Sequence, residues 1–247
     1  MADRDRLDQL LVTRGLVETR ARARDAILRG HVRIAGVAVE KPGQKVAVDA
    51  ELSIDDPAAD YVSRSALKLK AGLERFAIDV RGKVALDLGA STGGFTDVLL
   101  RAGAARVYAV DVGHSQLPAA VAADPRVINL ERTHARDLSL ALVPEAIEIL
   151  VADVSFISLK KALPPALELI APLARLAVLV KPQFEVGKPN IGKGGIVRQD
   201  NAATRAVAED IAHWLAARGW VTDGIVESPV KGGDGNTEYL LGATRQQ

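Results

Sequence analysis

Asp87-Leu88-Gly89-Ala90-Ser91-Thr92-Gly93-Gly94-Phe95-Thr96 reads as a strand that turns into a helix across three glycines. Val84, Ala85, Leu86 and Leu88 form a short apolar run, and Phe95, Val98 and Leu99 follow at helical spacing. At such a junction the first backbone N–H groups of the helix point into a concavity that suits a nucleotide-like ligand. Small residues from 89 to 94 let that ligand approach the main chain closely. A second apolar run, Val107-Tyr108-Ala109-Val110, ends in Asp111. That carboxylate stands about twenty residues beyond Gly89, where nucleotide-binding folds place the acid that holds a ribose diol.

Outward from this turn the chain alternates strands and helices. Strands are expected near 84–88, 107–112, 127–131, 148–154, 176–181, 220–227 and 238–244. Apolar strands separated by helices indicate a largely parallel sheet covered on both faces. The last two strands, joined through Glu227-Ser-Pro-Val-Lys-Gly-Gly-Asp-Gly-Asn236, are close enough to pair as a hairpin, which would make the last strand antiparallel. Upstream, the boundary falls at Asp55-Asp56-Pro57-Ala58-Ala59-Asp60. This acidic Pro-containing stretch reads as part of a linker over 55–62, between a small domain at 1–60 and a large one at 63–247.

Composition narrows the classes. The 247 residues carry a formal net charge of +1 and no cysteine. Disulfides and thiolate metal sites are thereby excluded, and a reducing, cytoplasmic setting fits. Four histidines scattered along the chain give no metal-ligand spacing, so no metal is expected. The longest apolar stretch, Ala162 to Val180, is broken by Glu168, Arg175 and three prolines and makes a poor membrane span.

The small domain begins with Leu7, Leu10 and Leu11 at helical spacing, a stop at Gly15, and a helix near Thr19 to Leu28 ended by Gly30. Val32, Ile34, Val37 and Val39 then alternate around Gly36 like a hairpin. Arg20, Arg22, Arg24, Arg29 and Arg33 cluster here with Asp25 as the only acid between them, whereas 36–60 carries two basic and six acidic residues. A confined positive field of this kind suits phosphate contact, although a solvated helix face is the plainer reading of any one such cluster.

The order Arg6-Leu-Asp-Gln-Leu-Leu-Val, then Thr19-Arg-Ala-Arg-Ala-Arg-Asp-Ala-Ile-Leu-Arg-Gly-His-Val-Arg-Ile-Ala-Gly36, resembles the alpha-L RNA-binding domain of ribosomal proteins and pseudouridine synthases. The resemblance implies a small α+β module that binds structured RNA, with Arg6, Arg20, Arg22, Arg24, Arg29 and Arg33 as its contacts.

Four charged residues at strand ends or beside the turn could converge. Asp153 follows Ile149-Leu-Val-Ala152, Lys181 follows Leu176-Ala-Val-Leu-Val180, Glu238 opens the last strand, and Lys68 lies in the helix that starts the large domain. Open sheets place ligands at such ends. The simpler alternative is two ordinary ion pairs at the sheet edge.

Ser63-Arg-Ser-x-x-Lys-Leu69, the glycine turn, Ala152-Asp-Val-Ser-Phe156, Val180-Lys-Pro-Gln-Phe-Glu185 and Gly235-Asn-Thr-Glu-Tyr239 together resemble the FtsJ-like ribose 2'-O-methyltransferases. With the RNA-binding module added, the chain from about residue 5 to 244 resembles the TlyA family of ribosomal RNA cytidine 2'-O-methyltransferases. One departure is Ser91-Thr92, where many FtsJ-like enzymes have Ala-Pro. The resemblance implies an α/β protein whose seven-stranded Rossmann-like sheet is mostly parallel with an antiparallel last strand. It implies S-adenosylmethionine as cofactor, ribosomal RNA or ribosomal subunits as partner, and no membrane. Lys68, Asp153, Lys181 and Glu238 would be the catalytic set. Asp87, Gly89, Ser91, Gly93, Gly94 and Phe95 would hold the cofactor, with Asp111 on its ribose and Asp137 near its adenine.

The chemistry asks for such a set. A ribose hydroxyl is a poor nucleophile, so methyl transfer gains from an amine that takes its proton. A second ammonium about 4 Å away, at an effective dielectric near 20, costs roughly 4 kcal/mol and would bring a lysine toward neutrality. Lys181 is therefore expected as the base, Lys68 as the group that weakens its hold on the proton, and Asp153 and Glu238 as orienting partners. The two carboxylates oppose the shift. Phe156, Phe184 and Tyr239 could stack a flipped base. The glycine-rich segment 182–198, with Lys188 and Lys193, could close on RNA phosphates. Competing readings are a noncatalytic RNA-binding or ribosome-assembly factor, a nicotinamide-dependent oxidoreductase, and a membrane-active haemolysin, a label some relatives carry.

Overall fold

The computed structural model describes residues 3–187, 192, 195–197 and 201–246. It divides into two compact units, one ending at Ala59 and the other beginning at Asp60.

In the first unit, β1 (Arg4–Arg6) leads directly into α1 (Leu7–Thr13), followed by α2 (Arg20–Leu28), β2 (Val32–Ile34), β3 (Val37–Val39), β4 (Lys45–Ala47) and β5 (Leu52–Ile54). Thr19 caps α2 by accepting the Arg22 N–H. Leu7, Leu11, Ala23, Ile27 and Val32 are fully buried and hold the two helices against the strands. β2 pairs antiparallel with both β3 and β5, so the expected hairpin forms around Gly36. The acidic stretch at 55–60 is not a free linker throughout. Asp56 bonds bidentately to Arg29, at 2.9 and 2.6 Å, and accepts the Ala58 N–H. Its carboxylate is thereby spent inside the first unit.

The second unit opens with α3 (Ala66–Arg75). It continues through β6 (Val84–Leu88), α4 (Gly94–Arg101), β7 (Arg106–Val110), α5 (Ala119–Ala122), β8 (Val127–Leu130) and β9 (Ile147–Ala152). The short helices α6 (Leu159–Ala162) and α7 (Pro164–Leu167) precede β10 (Ile170–Val180), and α8 (Pro182–Glu185), α9 (Asn201–Ala216), β11 (Trp220–Glu227) and β12 (Tyr239–Arg245) complete it. The seven strands lie in the order β11-β12-β10-β9-β6-β7-β8. β12 runs antiparallel to β10 and β11, while β6 to β10 are mutually parallel.

Strand residues alternate between two buried layers. Leu150, Ala152, Leu176, Val178 and Val180 face one core, which Ala208, Ile211 and Leu215 of α9 cover. Ile149, Val151, Ala177 and Leu179 face the other, covered by Leu69 and Leu73 of α3 and Val98 and Leu99 of α4. Burial on both faces explains the uninterrupted apolar runs. It also rotates the functional residues to the one place where strand residues escape the core, the carboxyl edge of the parallel set.

Candidate active site

The topology delivers three of the four charged residues to that edge. Asp153 follows β9 and Lys181 follows β10, its parallel neighbour. Because β12 runs the other way, with Val180 opposite Tyr239, its beginning lies at the same edge, so Glu238 arrives beside Lys181. Lys68 joins from α3, with its ammonium donating to Glu238 Oε2 at 2.6 Å. Both side chains of that pair are almost wholly buried.

Lys181 Nζ donates to Ser155 Oγ at 2.8 Å and lies 2.6 Å from Asp153 Oδ1. The latter contact is too bent for a hydrogen bond, since that oxygen accepts none, so Ser155 fixes the direction of the amine and Asp153 supplies charge. Each lysine therefore closes on its own carboxylate. The repulsion between ammoniums expected from sequence is offset pair by pair, and the arrangement contains the two ion pairs of the simpler alternative. They are not ordinary edge pairs, because each is largely withdrawn from water.

Two cavities meet here. The larger, about 670 Å³, runs between Ser91, Asp111, Gln116, His134, Val154 and Phe156. The smaller, about 210 Å³, reaches Ser63, Ser65, Thr92 and Lys181. They share Gly89, Ser91, Asp153 and Ser155. The volume of the larger is that of a small-molecule site. It ends at the wall where Lys181 is oriented.

The turn residues divide in their tasks. Gly89 has φ +88°, and a Cβ there would stand 2.7 Å from the Asp153 carbonyl oxygen, so glycine lets the ends of β6 and β9 close together. Gly93, also left-handed, ends the turn and starts α4. Gly94 packs against Ser65 and Ala66 at the start of α3, and Phe95 is core that only edges the smaller cavity. Asp111 lines the larger cavity and accepts N–H bonds from Ser91 at 2.8 Å and Gly113 at 2.7 Å.

Two expected cofactor residues are placed differently. Asp87 is fully buried and absent from the walls of both cavities. Its Oδ2 accepts the Thr96 hydroxyl at 2.7 Å, and its Oδ1 has no partner among the described residues. Burial pushes this carboxyl up to about 7, against the Thr96 bond and with help from the charges of Asp153 and Asp111. Asp137 ends a short 3-10 turn, Ala135–Asp137, with its side chain 59% exposed and 3.7 Å from Arg136. The cap of that turn is His134, and Thr133, His134 and Ala135 line the cavity in its stead.

Sequence reasoning missed three residues. Ser155 sits in the quoted Asp-Val-Ser-Phe run, and its distance of two from Asp153 was the available signal. Gln116 accepts the Ser91 hydroxyl at 3.0 Å. Asn236, in the quoted Gly-Asn-Thr-Glu run, bonds the Val197 N–H and the Gly195 carbonyl, tying that segment to the strand of Glu238.

The aromatic candidates also separate. Tyr239 is buried and its hydroxyl bonds Thr204 at 2.9 Å, so it is core. Phe156 is 91% exposed at φ +64°, on the wall of the larger cavity, with its ring 5.1 Å from Phe184. A bulky side chain in that backbone region costs about 1–3 kcal/mol.

Of the expected RNA contacts, Arg29 is 15% exposed and bound by Asp25 and Asp56, and Arg22 turns to Glu18 and the carbonyls of Ala58 and Ala59. Arg33 reaches the Gly36 carbonyl, and Arg24 is exposed without an ion-pair partner among the described residues. Arg6 and Arg20 both bond Asp8. Lys188 and Lys193 lie outside the described residues. Among those residues no helix is long and apolar enough to cross a membrane.

A reversed last strand on a parallel sheet, with two buried lysine-carboxylate pairs at its edge and a small-molecule-sized cavity alongside, defines a Rossmann-like methyltransferase unit, preceded in the chain by a smaller unit of helices and short strands. Residues 61–245 match the FtsJ-like methyltransferase family, and residues 5–52 match the S4 domain. The chain belongs to the TlyA family of FtsJ-like methyltransferases. It is 45% identical over 242 residues to the 16S/23S rRNA (cytidine-2'-O)-methyltransferase TlyA of Mycobacterium tuberculosis, covering 98% of this chain and 90% of that one. It is 38% identical to Hemolysin A of Brachyspira hyodysenteriae, over 95% of this chain and 98% of the other. Among solved structures, one named as a hemolysin from Streptococcus thermophilus superposes with a TM-score of 0.76 at 36% identity, covering all of this chain and 90% of its own.

Proposed function

We propose that this chain transfers a methyl group from S-adenosylmethionine to the 2'-hydroxyl of a cytidine in ribosomal RNA. The observation that carries the proposal is Lys181, oriented by Ser155 and faced by Asp153 at the wall shared by two cavities. The larger cavity fits the cofactor in volume and charge, because Asp111 and Asp153 line it. Carboxylates at that end suit a cationic ligand. When bound, S-adenosylmethionine supplies an electrophilic methyl group on a positively charged sulfur.

The remaining work belongs to the chain. Lys181 Nζ, in its neutral form, accepts the proton of the ribose hydroxyl, and Asp153 stabilises the ammonium so formed. Ser155 keeps the amine's lone pair aimed into the smaller cavity. Glu238 holds Lys68 at the same edge, where its ammonium orients the entering hydroxyl and offsets the charge on it. Phe156, with Phe184 behind it, offers a face on which the target base stacks once out of its helix. Arg6, Arg20, Arg24 and Arg33, together with Lys188 and Lys193, supply phosphate contacts.

Incubation with tritiated S-adenosylmethionine and separated ribosomal subunits, followed by mapping of the labelled nucleotide, tests the proposal. Label on a cytidine ribose that disappears with Lys181→Ala is expected. No label in any RNA would overturn it, and label that persists in Lys181→Ala would remove the base.

A further inference from the structure

Asp8 is an odd residue in an RNA-binding unit, because it places a negative charge among arginines. It lies in the first turn of α1 with no exposed surface. Its two oxygens receive Arg6 Nε and Nη2, each at 3.0 Å, and Arg20 Nε also reaches Oδ2 at 3.0 Å. The carboxyl is held below its ordinary range by the Arg6 bond, with Arg20 adding to it against the cost of burial. The two guanidiniums are not buried with it, since their side chains are 40% and 52% exposed.

The geometry leaves the outer donors available. Arg6 Nη1 and both Nη groups of Arg20 make no hydrogen bond among the described residues. The Arg6 guanidinium also lies against bare backbone: a Cβ on Gly43 would stand 3.0 Å from Nη1, 3.1 Å from Nη2 and 3.3 Å from Cζ. Arg29 makes the contrast. Two carboxylates neutralise it and it is 15% exposed. In the Asp8 cluster two guanidiniums share one buried carboxylate, with Asp5 a further acid beside Arg6, and their outer donors are left unspent and fixed in direction.

We infer that Asp8 is a positioning residue that sets Arg6 and Arg20 as one preformed fork for a phosphodiester of the RNA backbone. The inference rests on the RNA half of the proposed function. Free arginines lose rotamer freedom when they bind, and a fork held in advance has already lost it. Two planar guanidiniums at fixed angles also match phosphate oxygens as separate ammoniums would not.

The sign of one substitution separates this role from simple electrostatics. Asp8→Asn removes a negative charge about 3 Å from both guanidiniums, so a bystander carboxylate would give tighter RNA binding when removed. Positioning gives the opposite. The test measures affinity of the full chain for a structured RNA hairpin against KCl concentration, with thermal melts alongside. Asp8→Asn is expected to weaken binding about tenfold and to flatten the salt slope by about one unit, as each lost phosphate contact contributes roughly 0.7–0.9. Combining it with Arg6→Ala should cost little more than either change alone, because both break one unit. Unchanged or tighter binding, or fully additive losses, would overturn the inference. If Asp8→Asn does not fold, Arg20→Lys decides: it keeps the charge but cannot hold carboxylate and phosphate together, so about fivefold weaker binding supports the fork and wild-type binding overturns it. A wild-type chain that binds no RNA would instead count against the proposed function.

Discussion

Lys68 and Glu238 meet at 2.6 Å although 170 residues separate them in sequence. The pair ties α3, which opens the second unit, to the start of β12, which closes it. With side chains 7% and 3% exposed, neither charge can be left alone cheaply. Glu238→Gln or Lys68→Met should each cost about 3–5 kcal/mol, whereas the double variant should recover a good part of that loss, because it removes both charges. Equilibrium urea unfolding checks this, and a double variant less stable than either single would contradict it. None of the three should methylate RNA appreciably.

Ser155→Ala removes the one well-aligned bond to Lys181 Nζ and leaves Asp153 beside it. A misdirected amine affects the chemical step more than binding. Turnover should fall about tenfold or more while KM for S-adenosylmethionine changes less than about twofold. Steady-state kinetics separate the two, and a rise in KM alone would show that Ser155 serves the cavity wall instead.

Asp87 gives a pH dependence with a definite sign. Its carboxyl is raised in the folded chain to about 7, first by burial, so the folded state keeps a proton that the unfolded state releases near pH 4. The group's contribution is therefore fully present at acid pH and is lost as pH rises from about 4 through about 7. Asp87→Asn should abolish that decline, and at pH 8 should raise the Tm of the ligand-free chain by about 4 °C, equivalent to roughly 1–2 kcal/mol. Calorimetry of both proteins from pH 5 to 8 measures it, and parallel curves would refute it.

Two aromatic residues beside the charged set should respond in opposite ways. Tyr239→Phe loses the buried bond to Thr204, at about 1 kcal/mol, with turnover nearly unchanged. Phe156→Ala removes an exposed ring and should leave Tm within about 1 °C while lowering methylation at limiting RNA about tenfold, the order of one lost stacking contact. Equal effects on stability would mean that Phe156 is packing after all.

The fold was largely legible because its strands are buried on both faces: runs such as Ile149 to Ala152 and Leu176 to Val180 carry their own identity. Strand limits were legible as well, except that β10 starts at Ile170, well before 176. Pro172 and the left-handed Leu173 hid that beginning. Within the site, position at a strand end singled out Asp153 and Lys181, but pairing did not follow from it, since it depends on which strands are neighbours, which one is reversed and where the helix of Lys68 packs. The placement of Asp87 and Asp137 was not legible for a related reason. Both are acids near the turn, yet burial behind Thr96 and a 3-10 turn capped by His134 decide where they point. The arginine cluster showed charge without showing which cations were already spent.

The reversal of β12 has a consequence in time as well as space. During synthesis the glycine turn, Asp153 and Lys181 are all made before the strand that brings in Glu238, so Lys68 waits for its counter-charge until nearly the whole unit exists. A partly made chain therefore has the residues of both cavities before it has those of the proposed catalytic edge. If the proposed function holds, a chain whose target belongs to the very machine that builds it gains its last catalytic charge only when the nascent unit is almost complete.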